Sequence, residues 1–353
     1  MFGRQPDDMP EDIGSGDMEP PWGAGAATGV GSLPYDDRDE AVKIVVGELP
    51  EFPHLPELPG RGAGADLVGR SAALLVDLHV DLQPSGWRLV DRPGRDEIRA
   101  ETMLRADLDA LEIAAHGYEG PLKLQVAGPW TMAAGLDRTR GDRVLADHGA
   151  RRDLAQSLAE GIAQHVAEVA RRVPSASVVV QVDEPGLPAV LEGSIPTSSG
   201  FGRLRAVDAT EAELLLAMAL DAAGAWPVLH CCAANVPVTL ARRAGARAVS
   251  LDVGFLDGPA LDQLTESADA GLWLWPGVVP SRPVPTPPSD RDLAERVERL
   301  WRRLDQDPAS RAADTVVTPT CGLAGADGAW VRHAYALARG TAKAFAESVG
   351  ATG

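Results

Sequence analysis

The segment Pro227-Val228-Leu229-His230-Cys231-Cys232-Ala233-Ala234-Asn235 places a histidine and two of the chain's three cysteines at the end of a short apolar run. Alternate residues of an extended segment project to the same side, so His230 and Cys232 form a pair while Cys231 points away. An imidazole and a thiolate held side by side are half of a zinc site. The third cysteine, Cys321, also follows an apolar run, and Asp252 closes another, Arg247-Ala248-Val249-Ser250-Leu251-Asp252. One nitrogen, two sulfurs and one oxygen make a tetrahedral zinc set, and the metal lowers the pKa of any thiol that joins it. Each residue alone has a plainer reading, Cys321 as a small buried apolar side chain and His230 as a hydrogen-bonded core residue. Their joint placement at the ends of apolar runs favours the metal.

Other positions share that placement. Gly31-Ser32 follows a first strand at 26–30, where free backbone amides can bind an anionic group, although a plain strand-to-helix turn also accounts for it. Asp183-Glu184 ends the β-branched run 178–182, and two acids at the end of a buried strand are costly unless paired or facing a polar cavity. Glu57 sits in a proline-rich stretch, 50–60, stiff enough to hold a side chain in place. Gly128-Pro129 and Ser281-Arg282 complete the set. Trp130, in the loop after 121–126, suits either stacking on a flat substrate or simple packing.

The elements that must position these residues alternate. Strands are predicted at 26–30, 86–90, 121–126, 178–182, 227–229, 247–252, 271–277 and 315–317. Helices are predicted at 36–47, 65–82, 95–116, 151–172, 210–223, 236–244, 259–268, 289–304 and 328–347, with Ser289 as an N-cap. Eight strands alternating with helices predict an α/β fold of the (β/α)8 TIM barrel type, with an open doubly wound sheet as the alternative. In a barrel the strand ends converge on one face, where such folds carry their active sites.

Composition narrows the function. At 353 residues with 45% hydrophobic content, one large domain over 25–353 is expected, preceded by an acidic tail, 1–24, read as disordered. The net charge of −18 argues against nucleic acid as a partner. No apolar run reaches the roughly 20 residues of a membrane helix, so no membrane partner is expected. Three cysteines, two of them adjacent, make a poor disulfide framework and point to reduced thiols and a cytoplasmic location. A site with two thiolates and no evident general base is better suited to holding a substrate thiol as a nucleophilic zinc thiolate than to making hydroxide. Asp252, as a weak ligand, would be displaced by that thiol.

In order along the chain, Val30-Gly31-Ser32-Leu33-Pro34, Gln181-Val182-Asp183-Glu184-Pro185, His230-x-Cys232, Asp252 and Pro319-x-Cys321-Gly322-Leu323 resemble the catalytic C-terminal barrel of cobalamin-independent methionine synthase. The resemblance covers nearly the whole chain after residue 25. It implies methyl transfer to homocysteine held through Zn2+, a step of methionine biosynthesis. Carried over position by position, it makes His230, Cys232 and Cys321 zinc ligands. The family's fourth ligand is a glutamate where this chain has Asp252, one methylene shorter. Gly31 and Ser32 take the place of backbone contacts to the amino acid's carboxylate, Asp183 that of the catalytic-site acid holding its amine, and Glu57 that of a second such acid. The family's full-length enzymes carry a second, N-terminal barrel that helps bind the methyl-folate tail, for which 353 residues leave no room. Trp130 stands at a shifted position from the family's folate-pocket tryptophan. The partners implied are a small-molecule thiol and a methyl donor, methyl-folate or a corrinoid protein. Two other functions fit the same residues: alkyl transfer to another thiol, such as a coenzyme M-type acceptor, and a non-catalytic zinc- or thiol-binding barrel.

Overall fold

The computed structural model describes residues 19–224 and 226–350. Most of the acidic tail expected at 1–24 therefore lies outside the described residues. Seven strands form one parallel sheet: β1 (Ala26–Ala27), β4 (Pro121–Ala127), β5 (Ser177–Asp183), β6 (Pro227–Cys231), β7 (Ala248–Asp252), β8 (Trp273–Val279) and β9 (Val316–Pro319). Their order is β1-β9-β8-β7-β6-β5-β4, with every pairing parallel. The remaining two, β2 (His79–Gln83) and β3 (Gly86–Val90), pair antiparallel as a separate hairpin. The whole is an α/β fold, a curled parallel sheet of the TIM-barrel kind.

Two sequence expectations are corrected here. The predicted second strand, 86–90, belongs to the hairpin and not to the parallel sheet. Likewise, the helix expected over 65–82 is confined to Leu67–Ala72. Past that helix Asp77 adopts φ +60°, a left-handed conformation incompatible with a helix there, and β2 begins two residues later. Between β4 and β1, residues 53–57 run as an irregular extended segment. On one side Leu55 N donates to Lys123 O (2.9 Å) and Lys123 N to Pro53 O (3.0 Å). On the other, Glu57 N donates to Gly31 O (3.1 Å) and Leu33 N to Glu57 O (2.8 Å). Prolines 53 and 56 lack the N–H donors of a regular ladder, which is why this segment reads as loop.

Helices cover the outer face. Leu154, Leu158 and Ile162 of His148–Arg172 and Leu215, Leu216 and Leu220 of Ala209–Ala222 pack with Val126, Val180, Val182 and Leu229. Val297, Leu300 and Trp301 of Asp290–Arg303 pack with Leu251, Val279 and Val317. Each such side chain contributes roughly 1.5–3 kcal/mol by leaving water. Ser289 caps Asp290–Arg303 as expected, in a reciprocal capping box with Asp292.

The N-terminal ends of the strands are closed by aromatic side chains. Trp22, within the stretch expected as tail, is buried, stacks on Phe52 at 5.3 Å and meets Trp226, Trp273 and Trp275 edge-on. A plugged base leaves the C-terminal ends as the open face. There, a Cβ on Gly277 of β8 would lie 2.7 Å from Leu251 O and 2.9 Å from Thr320 Cα, so only glycine lets the residue before Cys321 come this close.

Candidate metal site and substrate cavity

β6 presents His230 inward and β9 leads into Cys321, so the topology that places these strands in one sheet also brings their C-terminal ends together. One ligand atom from each of His230, Cys232 and Cys321 lies within 4.8 Å of the others. The two sulfurs are 2.9 Å apart, well beyond the ~2.05 Å of a disulfide. Cys231 faces the opposite way, fully buried among apolar side chains, and burial pushes its thiol up to about 12. The two adjacent cysteines thus face opposite sides, as alternation along a strand requires.

His230 pairs in register with Ser250 of β7, and its Nδ1 lies 3.0 Å from Ser250 Oγ. The other nitrogen, Nε2, is buried and has no hydrogen-bond partner among the described residues. A buried polar atom left this way costs about 1–3 kcal/mol. With Nδ1–H donating to Ser250, Nε2 carries a lone pair suited to a metal. The hydrogen bond shared with Cys232 pulls the Cys321 thiol down to about 4 against the opposing cost of burial. Cys232, whose proton is held in that bond and whose site is buried, is pushed far up. One imidazole nitrogen and two cysteine sulfurs, which bind a cation as thiolates, fit a zinc ion.

Asp252 is not part of this cluster. Its Oδ1 accepts the N–H of Gly254 at 2.8 Å and caps the short turn Val253–Phe255. Burial raises its pKa, with Cys321 adding to the shift. An aspartate at a strand end competes for local backbone donors in this way.

Beside the cysteines lies a cavity of about 200 Å³ lined by Val30, Ser32, Glu57, Asp183, His230, Cys232 and Cys321, among others. Four of the notable strand-end segments therefore converge, together with Glu57 of the proline-rich stretch. Gly31 stands between two lining residues with its carbonyl bonded to Glu57 N, and Ser32 O accepts from Leu323 N at 2.7 Å, which ties this loop to the Cys321 segment. Burial raises the pKa of both acids. Asp183 is raised further by Glu57 and opposed by Lys123, whereas Glu57 is opposed by Arg70 and Lys123. Arg70 Nε lies 3.7 Å from Glu57, and its Nη1 donates to Asp107 at 2.8 Å.

Glu184, next to Asp183, does different work. Its carboxylate accepts from Trp130 N, Thr131 N and Thr131 Oγ1 at 2.7–2.8 Å, anchoring the start of the helix Pro129–Gly135. Burial pushes it up to about 7. Trp130 is buried and donates to Ala212 O at 2.9 Å, so it packs rather than facing a ligand.

Sequence reasoning overlooked Lys123, Gln125 and Gln181, all buried beneath the cavity. The available signal was period-two placement: 123 and 125 on β4, and 181 and 183 on β5, are polar positions alternating with apolar ones in runs otherwise read as core.

The fold and the cysteine–histidine cluster together mark a class of catalytic domain. Residues 121–344 match the model of the cobalamin-independent synthase catalytic domain, and the chain belongs to that family. Among solved structures, a B12-independent methionine synthase from Shewanella sp. W3-18-1 in complex with selenomethionine is similar, with a TM-score of 0.60 at 12% identity. The match covers 93% of this chain and 100% of that one. No curated protein matches the chain in sequence. Among the described residues, no helix is long and apolar enough to cross a membrane.

Proposed function

We propose that this chain is a zinc-dependent methyltransferase that methylates the thiol of homocysteine or a close analogue. The observation that carries the reading is the buried, unpartnered Nε2 of His230 beside two cysteine sulfurs, in a chain of the cobalamin-independent synthase family. His230, Cys232 and Cys321 would hold the zinc, with the fourth position left to the substrate thiol. Bound there, zinc would act as a Lewis acid that lowers the pKa of that thiol.

The chain's own residues supply the rest. Ser250 fixes His230 with Nε2 free. Asp183 and Glu57 take the substrate's ammonium, and the Gly31-Ser32 backbone takes its carboxylate. The same reading treats residues 53–57 as the segment occupying the second strand position of a TIM barrel. Support for the amino-acid substrate comes from the selenomethionine bound to the similar Shewanella enzyme.

The test is methionine formation by zinc-loaded protein given homocysteine and, separately, a methyl-folate and a methyl-corrinoid. Methionine from either donor is expected. Faster methylation of 2-mercaptoethanesulfonate than of homocysteine would reassign the acceptor. No product from any donor, with homocysteine still bound, would make the chain a thiol-binding barrel.

A further inference from the structure

We propose that Lys123 is the positioning residue of the substrate cavity: its ammonium keys together the three segments that face the amino-acid end of the thiol substrate. The inference rests on the functional reading above, since it takes the cavity to receive a thiol amino acid.

Lys123 lies in the middle of β4, fully buried between the buried Leu122 and Leu124. An ion in such a place costs several kcal/mol of desolvation unless its partners repay it. The partners are complete. Nζ donates to Val30 O, Gln125 Oε1 and Gln181 Oε1, each at 2.9 Å. Three N–H groups meet three acceptors, which satisfies an ammonium, whereas an uncharged amine would turn its lone pair toward an oxygen. Lys123 does not line the cavity, so it acts through what it holds.

Each acceptor leads to a different face of the site. Val30 opens directly into Gly31-Ser32. Gln125, with its oxygen drawn to the ammonium, turns Nε2 to donate to Leu55 O at 2.7 Å, two residues before Glu57. Gln181, drawn the same way, donates through Nε2 to Val30 O at 2.9 Å and to Asp183 Oδ1 at 2.7 Å. Flipping either amide would set its NH2 against the ammonium, so one charge fixes the sense of both. Asp183 is thereby held by one oxygen. Among the described residues Oδ2 has no hydrogen-bond partner, and it is the oxygen left for a substrate ammonium. A chain of ammonium, amide and carboxylate of this kind is worth more intact than its separate bonds suggest.

The experiment uses zinc-loaded full-length protein, Lys123→Met and Gln181→Met, the latter cutting the link to Asp183 while leaving the ammonium in place. Calorimetric titration with homocysteine is compared with 3-mercaptopropan-1-ol, which keeps the thiol and lacks both charged groups. Zinc content and Tm are measured on the same samples. Homocysteine affinity is expected to fall about tenfold or more in both variants, the alcohol's affinity to stay within about threefold, and zinc to stay bound. Should Lys123→Met lose zinc and fold, Gln181→Met decides. Unchanged homocysteine affinity with zinc retained overturns the inference, as does a parallel loss for both thiols. Wild-type protein that holds zinc and binds neither thiol overturns the functional reading and this inference with it, whereas unchanged variants of a binding wild type overturn this inference alone.

Discussion

On the β6 and β9 side of the cavity a buried imidazole nitrogen is left over among the described residues, whereas on the β4 and β5 side the lysine and both glutamines are satisfied and Oδ2 of Asp183 is the atom left facing the substrate. His230 Nε2 is buried without a partner and two sulfurs crowd to 2.9 Å. Across the cavity, Lys123 spends all its donors and both glutamines are bonded at both ends. Unsatisfied buried groups are rare in proteins and call for an explanation, which a bound ion supplies. A satisfied network calls for none and serves to hold geometry. Under the proposed function, one wall carries the chemistry and the other orients the substrate.

The most severe way to break the contrast is to remove a sulfur. Cys321→Ser or Cys232→Ser is expected to abolish stoichiometric zinc and to cut methyl transfer more than the ~10–100-fold that outer-shell changes produce. Metal analysis after gel filtration, alongside the methionine assay, checks this. A smaller effect is expected from Ser250→Ala, which takes away the partner of His230 Nδ1 and leaves the ring free to turn. Zinc affinity should drop about 10–100-fold, measured by chelator competition, with the cysteines untouched. The smallest effect sharpens the boundary of the metal wall. Because Asp252 is bonded to Gly254 and stands outside the cluster, Asp252→Asn should keep zinc, with affinity changed by less than about tenfold.

How much of this was legible depended on which wall was read. The metal wall is written in rare residue types. Three cysteines and a histidine at strand ends leave few alternatives once alternation selects Cys232 over Cys231. Asp252 was placed rightly at a strand end, yet nothing in the sequence says that its side chain caps its own turn. The orienting wall was hidden, because Lys123 and Gln181 sit inside apolar runs whose overall character reads simply as buried strand. Their role emerges only when the register places Gln125 opposite Gln181 and Ala127 opposite Asp183. The fold divided in the same manner. Alternating strands and helices marked a parallel α/β sheet, and seven of eight predicted strands stand in it. The eighth, 86–90, stands in the separate hairpin, while the extended segment 53–57 carries prolines, which count against a strand in any local reading. Long-range hydrogen bonds to Lys123 and Gly31, not local propensity, hold it there.

The central claim is that the leftover atoms of His230, Cys232 and Cys321 take a metal whose open position receives the substrate sulfur. Zinc-edge X-ray absorption on the loaded protein, before and after homocysteine, tests it most directly. Two sulfur ligands and one imidazole are expected in the free protein, at the usual ~2.3 Å and ~2.0 Å, with a third sulfur appearing on adding the thiol. A coordination shell with no sulfur, or one unchanged at saturating homocysteine, would contradict the account.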